Sequence, residues 1–483
     1  MSEKSLSKNS IYYLIYSVLN VLFPLITGIY VARILLPSLI GEVAYALNIS
    51  SYFVILAFLG IPTYGMREIA KHRDDKEKTK KIHSELFVIN AFSTGISLLL
   101  YFVLVFVVPS FRNHLLLYSI TGLSIATNFL NNSWLFQGLE EFKYISIRNI
   151  VFKIILFLLL ILFVKKENDY IAYALIATIG SVGAYFLNII YAKRKIGFTL
   201  KGLELKKHLK PIFFLLAVNI AIEIYTLVDT TMIGIFCDKS HVAYYSYGSK
   251  IYKVLLQIVN SFTVVIIPRL SFYYKNNNFK DFNTLLTKTL KVLLLISVPA
   301  IIGIQFVSDF LIVKVYGEQY VNSISVIKIL CFNLLISPVG YLLGSRVLLA
   351  SNKELKMIFA VGIGCVTNLV GNFLLIQLFQ EVGASLASVI SETIVAVVYL
   401  LLSHKIFKLN SMRKFTTQLM LSSIFMCLFL FFLNNHLSTS WIKLFVQIFG
   451  AVSIYCCSLL LLREDTTMSI FKRLICKFKL KNN

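Results

Sequence analysis

The chain has 483 residues, 58% of them hydrophobic and only 14% charged, and its 47 Lys and Arg against 23 Asp and Glu leave a formal charge of +24. A soluble domain carries about a quarter charged residues, and one soluble core cannot hide this much apolar sequence. A soluble enzyme or regulator is therefore excluded. The apolar residues arrive in blocks of about 20, the length a helix needs to cross a bilayer.

The blocks predict an all-α polytopic membrane protein with about fourteen spans. They fall near 11–33, 40–63, 85–109, 114–136, 149–165, 169–192, 211–236, 242–267, 289–312, 321–348, 357–379, 383–405, 415–434 and 440–462. The opening MSEKSLSKNS runs straight into a full-length apolar stretch holding Pro24, with no small-residue cleavage site. It reads as the approach to a first membrane helix rather than a signal peptide. If the N-terminus is cytoplasmic and each span changes sides, most of the 47 Lys and Arg fall in cytoplasmic loops and tails. REIAKHRDDKEKTKK (67–81), KRKIGFTLKGLELKKHLK (193–210) and the tail from Arg463 are the main cases. That bias places both termini in the cytoplasm. It also accounts for the net charge through topology and contact with anionic lipid, without nucleic acid.

No metal, catalytic or disulfide framework is expected. The seven cysteines (237, 331, 365, 427, 456, 457, 476) form no CxxC, and no HExxH occurs. The outer loops are too short for an extramembrane catalytic domain, which argues against a membrane glycosyltransferase or polymerase.

Segmentation comes from an internal repeat. GEVAYALNIS (41–50) after the first span resembles SHVAYYSYGS (240–249) after the seventh. GMREIAK (65–71) and IPRLSFYYK (267–275) both follow an even-numbered span with an arginine at the inner face. WLFQGLEEFKYIS (134–146) aligns with VLLASNKELKMIF (347–359), pairing Glu141 with Glu354 and Lys143 with Lys356. Six spans per repeat is even, so the repeat is parallel, about an axis along the membrane normal. The expected organisation is an N-terminal six-helix lobe (1–192), a basic cytoplasmic linker (193–210), a second lobe (211–406), and helices 13–14 with a basic tail (407–483).

Polar stripes mark the helix faces that avoid lipid. Span 1 carries Ser17, Asn20, Pro24 and Thr27, then Arg33; span 4 carries Thr121, Ser124, Asn128 and Asn131. Span 7 carries Asn219, Glu223, Thr226 and Thr230 beside Asp229, and span 8 carries Ser246, Ser249, Lys253, Gln257 and Asn260 beside Lys250. Span 10 adds Lys328, Asn333, Ser337, Gly344 and Arg346, and span 12 adds Glu392. A charge at the bilayer centre costs about 3 kcal/mol or more, so Glu223, Asp229, Lys250 and Lys253 must be paired or hydrated. Two readings stay open for them: a structural ion pair between spans 7 and 8, or sites for substrate and coupling ion. Arg33 and Arg346 are equally compatible with snorkelling to headgroups. Pro24, Pro299 and Pro338 lie within spans and interrupt helical hydrogen bonds. Trp134 is expected to anchor the inner interface as a belt aromatic.

ARILLPSLIGEVAYA (32–46), IEIYTLVDTTMIGIF (222–236) and WLFQGLEEFKYISIRN (134–149) resemble the Wzx-type polysaccharide flippases of the MATE-like MOP superfamily. The resemblance covers essentially the whole chain. It implies two six-helix lobes plus two helices, and an oligosaccharide substrate on an undecaprenyl diphosphate carrier turned from the inner to the outer leaflet. It further implies a cationic cavity for the diphosphate, coupling to Na+ or H+ without any bound cofactor, and partnership with polysaccharide polymerase and assembly proteins. The candidate substrate residues are Arg33, Asn128, Asn131, Lys250, Lys253, Gln257, Lys328 and Arg346. The candidate ion or proton sites are Glu223, Asp229 and Glu392. A multidrug or cation antiporter of the same fold is the alternative; its cationic cargo favours an acidic cavity with fewer lysines than span 8 holds.

Overall fold

The computed structural model describes residues 23–264, 266–437 and 440–469, and every regular element among them is helical. Ser17, Asn20, Cys476 and the end of the basic tail lie outside the described residues. Nine helices among those described are long and apolar enough to cross a membrane. Three shorter ones, Phe23–Ala32, Leu115–Leu130 and Tyr225–Phe236, are also apolar. Large side chains such as Phe92, Leu99, Phe163 and Phe431 stand exposed on the outer faces. That pattern suits a lipid solvent, where burying apolar surface gains nothing.

The chain divides into two compact units, one ending at Ala243 and the other beginning at Tyr244. In the first, α1 (Phe23–Ala32) leads through Pro37, which opens the first turn of α2 (Pro37–Phe58) where its missing N–H costs nothing. Leu59 then turns to φ 52°, and an Ile-Pro step restarts the chain as α3 (Ile61–His72). Asp75 caps α4 (Lys76–Val107) by accepting from the Lys78 N–H at 3.0 Å. The short α5 (Pro109–Asn113) and α6 (Leu115–Ala126) follow, then a 3₁₀ turn at Asn128–Leu130, α7 (Ser133–Gly138), α8 (Phe142–Phe163), α9 (Tyr170–Lys195) and α10 (Lys206–Phe236). The core at one end of this unit joins Ile61 and Ile69 of α3, Leu86 of α4 and Trp134 to Phe136 of α7.

Helix α10, which the repeat groups with the second lobe, packs against α2 and α3 within the first unit. Asn48 of α2 donates to Leu227 O (3.2 Å) and to Thr231 Oγ1 (2.7 Å), and the Tyr52 hydroxyl lies 2.9 Å from the same oxygen.

The unit boundary falls inside α11 (Lys239–Val264). The second unit continues with α12 (Ile267–Lys275), α13 (Phe279–Tyr316), α14 (Ser323–Leu330) and α15 (Asn333–Gly340), and then α16 (Val347–Ala350) and α17 (Glu354–Ser403). Helix α17 contains the two spans expected at 357–379 and 383–405, folded back at Gln380, where φ is 53°. Only glycine fits at 383, since a Cβ there would stand 2.1 Å from Leu375 O. Helices α18 (Arg413–His436) and α19 (Trp441–Leu461) pack on α13, and the Tyr455 hydroxyl donates to Leu295 O at 3.2 Å.

The repeat is visible in backbone detail. Helices α3 and α12 both start on an Ile-Pro step. After α7 and after α16 the chain turns through one left-handed residue, Glu140 (φ 59°) and Asn352 (φ 56°). The flanking bonds also match: Glu141 N–H to Phe136 O at 2.8 Å, and Lys353 N–H to Leu348 O at 2.9 Å. This sets Glu141 opposite Lys353, one position away from the Glu141–Glu354 pairing expected from sequence. Backbone turn geometry, not side-chain identity, holds the register.

Candidate functional site: a cationic cavity in the first unit

The span expected at 114–136 is not one helix. It stops at Ala126, turns once as 3₁₀ at Asn128–Leu130, and leaves Asn131 and Asn132 outside any helix before α7. Adjacent asparagines favour this break because their side chains compete for backbone hydrogen bonds; Asn131 Oδ1 accepts from the Ser133 N–H at 3.2 Å. The break widens into a cavity of about 440 Å³. Phe58 and Pro62 of the α2–α3 elbow form one side, and Asn131, Ser133, Trp134 and Gln137 another. Arg148, Asn149 and Lys153 of α8 and Gly180, Ala184 and Tyr185 of α9 complete the lining.

Two of its lining residues are cationic, none is a carboxylate, and three are amides. The Arg148 guanidinium is buried. It donates through Nε and Nη2 to Asn149 Oδ1, at 3.2 and 2.9 Å, and through Nη1 to Asn188 Oδ1. Amide partners orient the guanidinium without cancelling its charge. Lys153 stands at the middle of the 22-residue α8, about 16 Å along the axis from Phe142 at 1.5 Å per residue. Ionisable groups at such a depth mark functional sites by default.

Trp134 does not anchor the interface as expected. It is 2% exposed and seated against Gly65, where a Cβ would come within 2.5 Å of its ring. The missing side chain at Gly65 lets the indole sink into the core and form the cavity wall.

Of the residues singled out from sequence, Asn131 lines this cavity. Asn128 lies buried behind it, donating to Asn90 Oδ1 at 3.3 Å. Arg33 is exposed just past α1 and is not a lining residue. On α10, Glu223 is exposed and accepts from Thr226 Oγ1 (3.2 Å), whereas Asp229 is buried close enough to Tyr52 for electrostatic coupling.

In the second unit, the Lys250 ammonium stacks 4.3 Å from the Tyr247 ring centroid, and Lys253 and Gln257 are exposed along α11. Lys328 is bound to Asp309 at 2.6 Å, and its carbonyl accepts from Gln305 Nε2. Past Pro338, which lacks an N–H, the helix widens into a π-turn at Tyr341–Arg346. Arg346 ends that turn, its Nε buried without a hydrogen-bond partner among the described residues. Glu392 accepts from Ser337 Oγ at 2.7 Å, and Glu392 and Arg346 both act electrostatically on Tyr341. The structure thus groups Glu392 with Arg346 in the second unit, as it groups Asn131 with the cavity in the first.

Sequence reasoning missed Arg148 and Lys153. The signal was the run RNIVFK (148–153), which places Arg148, Asn149, Phe152 and Lys153 on one helical face.

Membrane-length helices, a repeated half and polar groups at membrane depth fit a membrane transporter, and its likeness to solved structures gives it the MATE-like MOP fold. The chain belongs to the polysaccharide biosynthesis protein family, whose sequence profile matches residues 6–273; the MatE profile matches 215–374. It is 26% identical over 407 residues to a putative O-antigen transporter of Escherichia coli (strain K12), covering 82% of this chain and 95% of that one. A probable low-salt glycan biosynthesis flippase of Haloferax volcanii is 27% identical over 255 residues, 52% of this chain and 53% of that one. Among solved structures, the inward-closed conformation of the lipid II flippase MurJ superposes with a TM-score of 0.71 at 19% identity, covering 96% of this chain and all of that one. An outward-facing multidrug MATE transporter of the MOP superfamily gives 0.53 at 16% identity, covering 83% of this chain and 95% of that one.

Proposed function

We propose that this protein is a flippase for undecaprenyl-diphosphate-linked oligosaccharide repeat units, moving them from the inner to the outer leaflet of a bacterial cell membrane for capsule or surface polysaccharide. The observation that carries the reading is the first-unit cavity, with two cations, three amides and no carboxylate in its wall. A diphosphate needs counter-charge and a glycan needs hydrogen-bonding walls; a cationic drug needs neither cation. Family membership and the transporter and flippase relatives support the same class.

In this proposal both termini are cytoplasmic and two lobes, 1–192 and 211–406, alternate access about the linker 193–210. Arg148 and Lys153 join Arg33, Asn128, Asn131, Lys250, Lys253, Gln257, Lys328 and Arg346 as the groups that meet the substrate. Glu223, Asp229 and Glu392 serve Na+ or H+ coupling, and the product passes to polymerase and assembly proteins. Helices 13–14 of the 407–483 segment flank the second lobe, and its basic tail is cytoplasmic in this reading.

The second reading, a cation antiporter, draws on Glu392 and the MatE match over 215–374. Deleting the gene separates the two. The flippase reading expects lipid-linked oligosaccharide to accumulate facing the cytoplasm and surface polysaccharide to be lost. Unchanged polysaccharide with heightened sensitivity to cationic drugs would establish the antiporter instead.

A further inference from the structure

Arg148 borders two spaces. One is the polar cavity; the other is a groove of about 420 Å³ on the outer side of α8 and α9, which also shares Phe152 with the cavity. The groove is apolar where the cavity is polar: Ile147, Val151 and Leu187 line it and are 47%, 48% and 43% exposed. At its interfacial end the Tyr144 and Tyr191 rings stack at 4.0 Å and 9°, and Lys195 pairs with Glu141. Charge on one side of a guanidinium and open hydrocarbon surface on the other describe a site for an amphiphile.

We propose that cavity and groove form one binding site for a polyprenyl phosphate, its phosphate held by Arg148 and Lys153 and its chain lying along Ile147, Val151 and Leu187. This rests on the flippase reading and adds to it a docking site within the first unit. Two features favour the carrier lipid over an ordinary phospholipid. Lys153 lies at the middle of its spanning helix, deeper than a resting headgroup. Asn131, Gln137 and Asn149 add donors and acceptors suited to a hydroxylated head. The Asn188 amide nitrogen, buried beside the guanidinium, has no hydrogen-bond partner among the described residues.

The test is native mass spectrometry of the full chain in detergent with undecaprenyl phosphate, phosphatidylglycerol or inorganic phosphate. Undecaprenyl phosphate should be retained by the unaltered protein. Lys153→Gln should weaken that retention at least about tenfold, the loss of one charge-assisted contact at 1.4 kcal/mol per decade. Val151→Trp, which fills the groove and keeps both cations in the chain, should weaken undecaprenyl phosphate but leave inorganic phosphate unchanged; Leu187→Trp serves if the first variant does not fold. Equal retention of phosphatidylglycerol, or binding indifferent to both substitutions, overturns the site. Normal polysaccharide export in the deletion strain alongside the expected binding overturns the flippase reading and leaves the site standing; trapped substrate with indifferent binding does the reverse.

Discussion

Two loops in this chain return to a helix in the same way and hold it by different chemistry. After α9, the N–H groups of Thr199 and Glu204 donate to Ser84 Oγ (3.0 Å) and Glu85 Oε1 (2.8 Å) on α4. After α17, the N–H groups of Lys408 and Asn410 donate to Asn283 Oδ1 (3.0 Å) and Thr287 Oγ1 (3.1 Å) on α13. Each joint satisfies loop backbone with side-chain oxygens near the start of a long helix. The second joint uses neutral groups throughout. The first buries a carboxylate with a fully covered side chain, ringed by Lys207 Nζ at 3.1 Å and His208 Nε2 at 2.8 Å. A carboxylate only accepts, so His208 donates from Nε2 and its Nδ1 meets the Tyr64 hydroxyl at 2.8 Å. A neutral joint degrades gradually as groups are removed. A buried charged joint fails at once, because its buried partner, here His208, is left unsatisfied.

The largest expected effect follows from that asymmetry. Glu85→Ala strands the buried His208 and removes the acceptor of the Glu204 N–H, while Lys207 keeps Glu204 at 3.6 Å; breaking the buried pair costs about 3 kcal/mol or more. Hydrogen exchange across 199–205 should then accelerate about a hundredfold, at 1.36 kcal/mol per decade, with 408–410 unaffected. Glu85→Gln keeps an acceptor for the Glu204 N–H and should lose less. Equal acceleration of both segments would show that the joint is not a local unit.

Asn283→Ala in the other joint should be milder. It removes one acceptor from the Lys408 N–H, which lies at an exposed position where water can replace it, a loss of about 1 kcal/mol. Exchange at 408 should rise by less than about tenfold. A rise matching that of Glu85→Ala would contradict the distinction drawn between the charged and neutral joints.

The membrane class and the repeat were legible in the sequence because each is a matter of composition or period; Asn131 does line the cavity, but from the break after α6 and not from the helical face its spacing suggested. The joints were not. Hydropathy starts the third span at residue 85 and treats that point as the membrane boundary, whereas α4 begins at Lys76 and carries Glu85 in its third turn. A period identifies a helical face but not the loop that lies against it, so nothing in 193–210 marked His208 as Glu85's partner. The same limit hid the pairing of Lys328 with Asp309, which stand 19 positions apart on α14 and α13 (309 to 328). It also hid Arg148 and Lys153, whose cavity exists only because the fourth span breaks at Asn131–Asn132. Trp134 was misread because a tryptophan near a span end looks interfacial until the empty face of Gly65 is known.

The smallest expected effect lies in acid. Glu204 is held below its ordinary pKa of 4.5, first by the hydrogen bond from the Lys81 ammonium at 2.6 Å and then by the charges of Lys207 and Lys81. A carboxyl with a depressed folded pKa stabilises the fold wherever it is ionised in both states, above 4.5. That contribution drains away as pH falls from 4.5 through the lower folded value. Protection of 199–205, corrected for the intrinsic exchange rate, should therefore stay level from neutral pH to about 5 and decline below it. At 408–410 the joint's acceptors are amide and hydroxyl oxygens, so no matching decline should appear. Because Glu204 is exposed and its ion pairs are screened by water, the decline should be modest and weaken further at high salt. Glu204→Gln should flatten the profile of the first joint toward that of the second. Parallel acid loss in both segments would remove charge as the difference between them; a profile unchanged by Glu204→Gln would assign the acid loss to the Glu85 carboxylate instead.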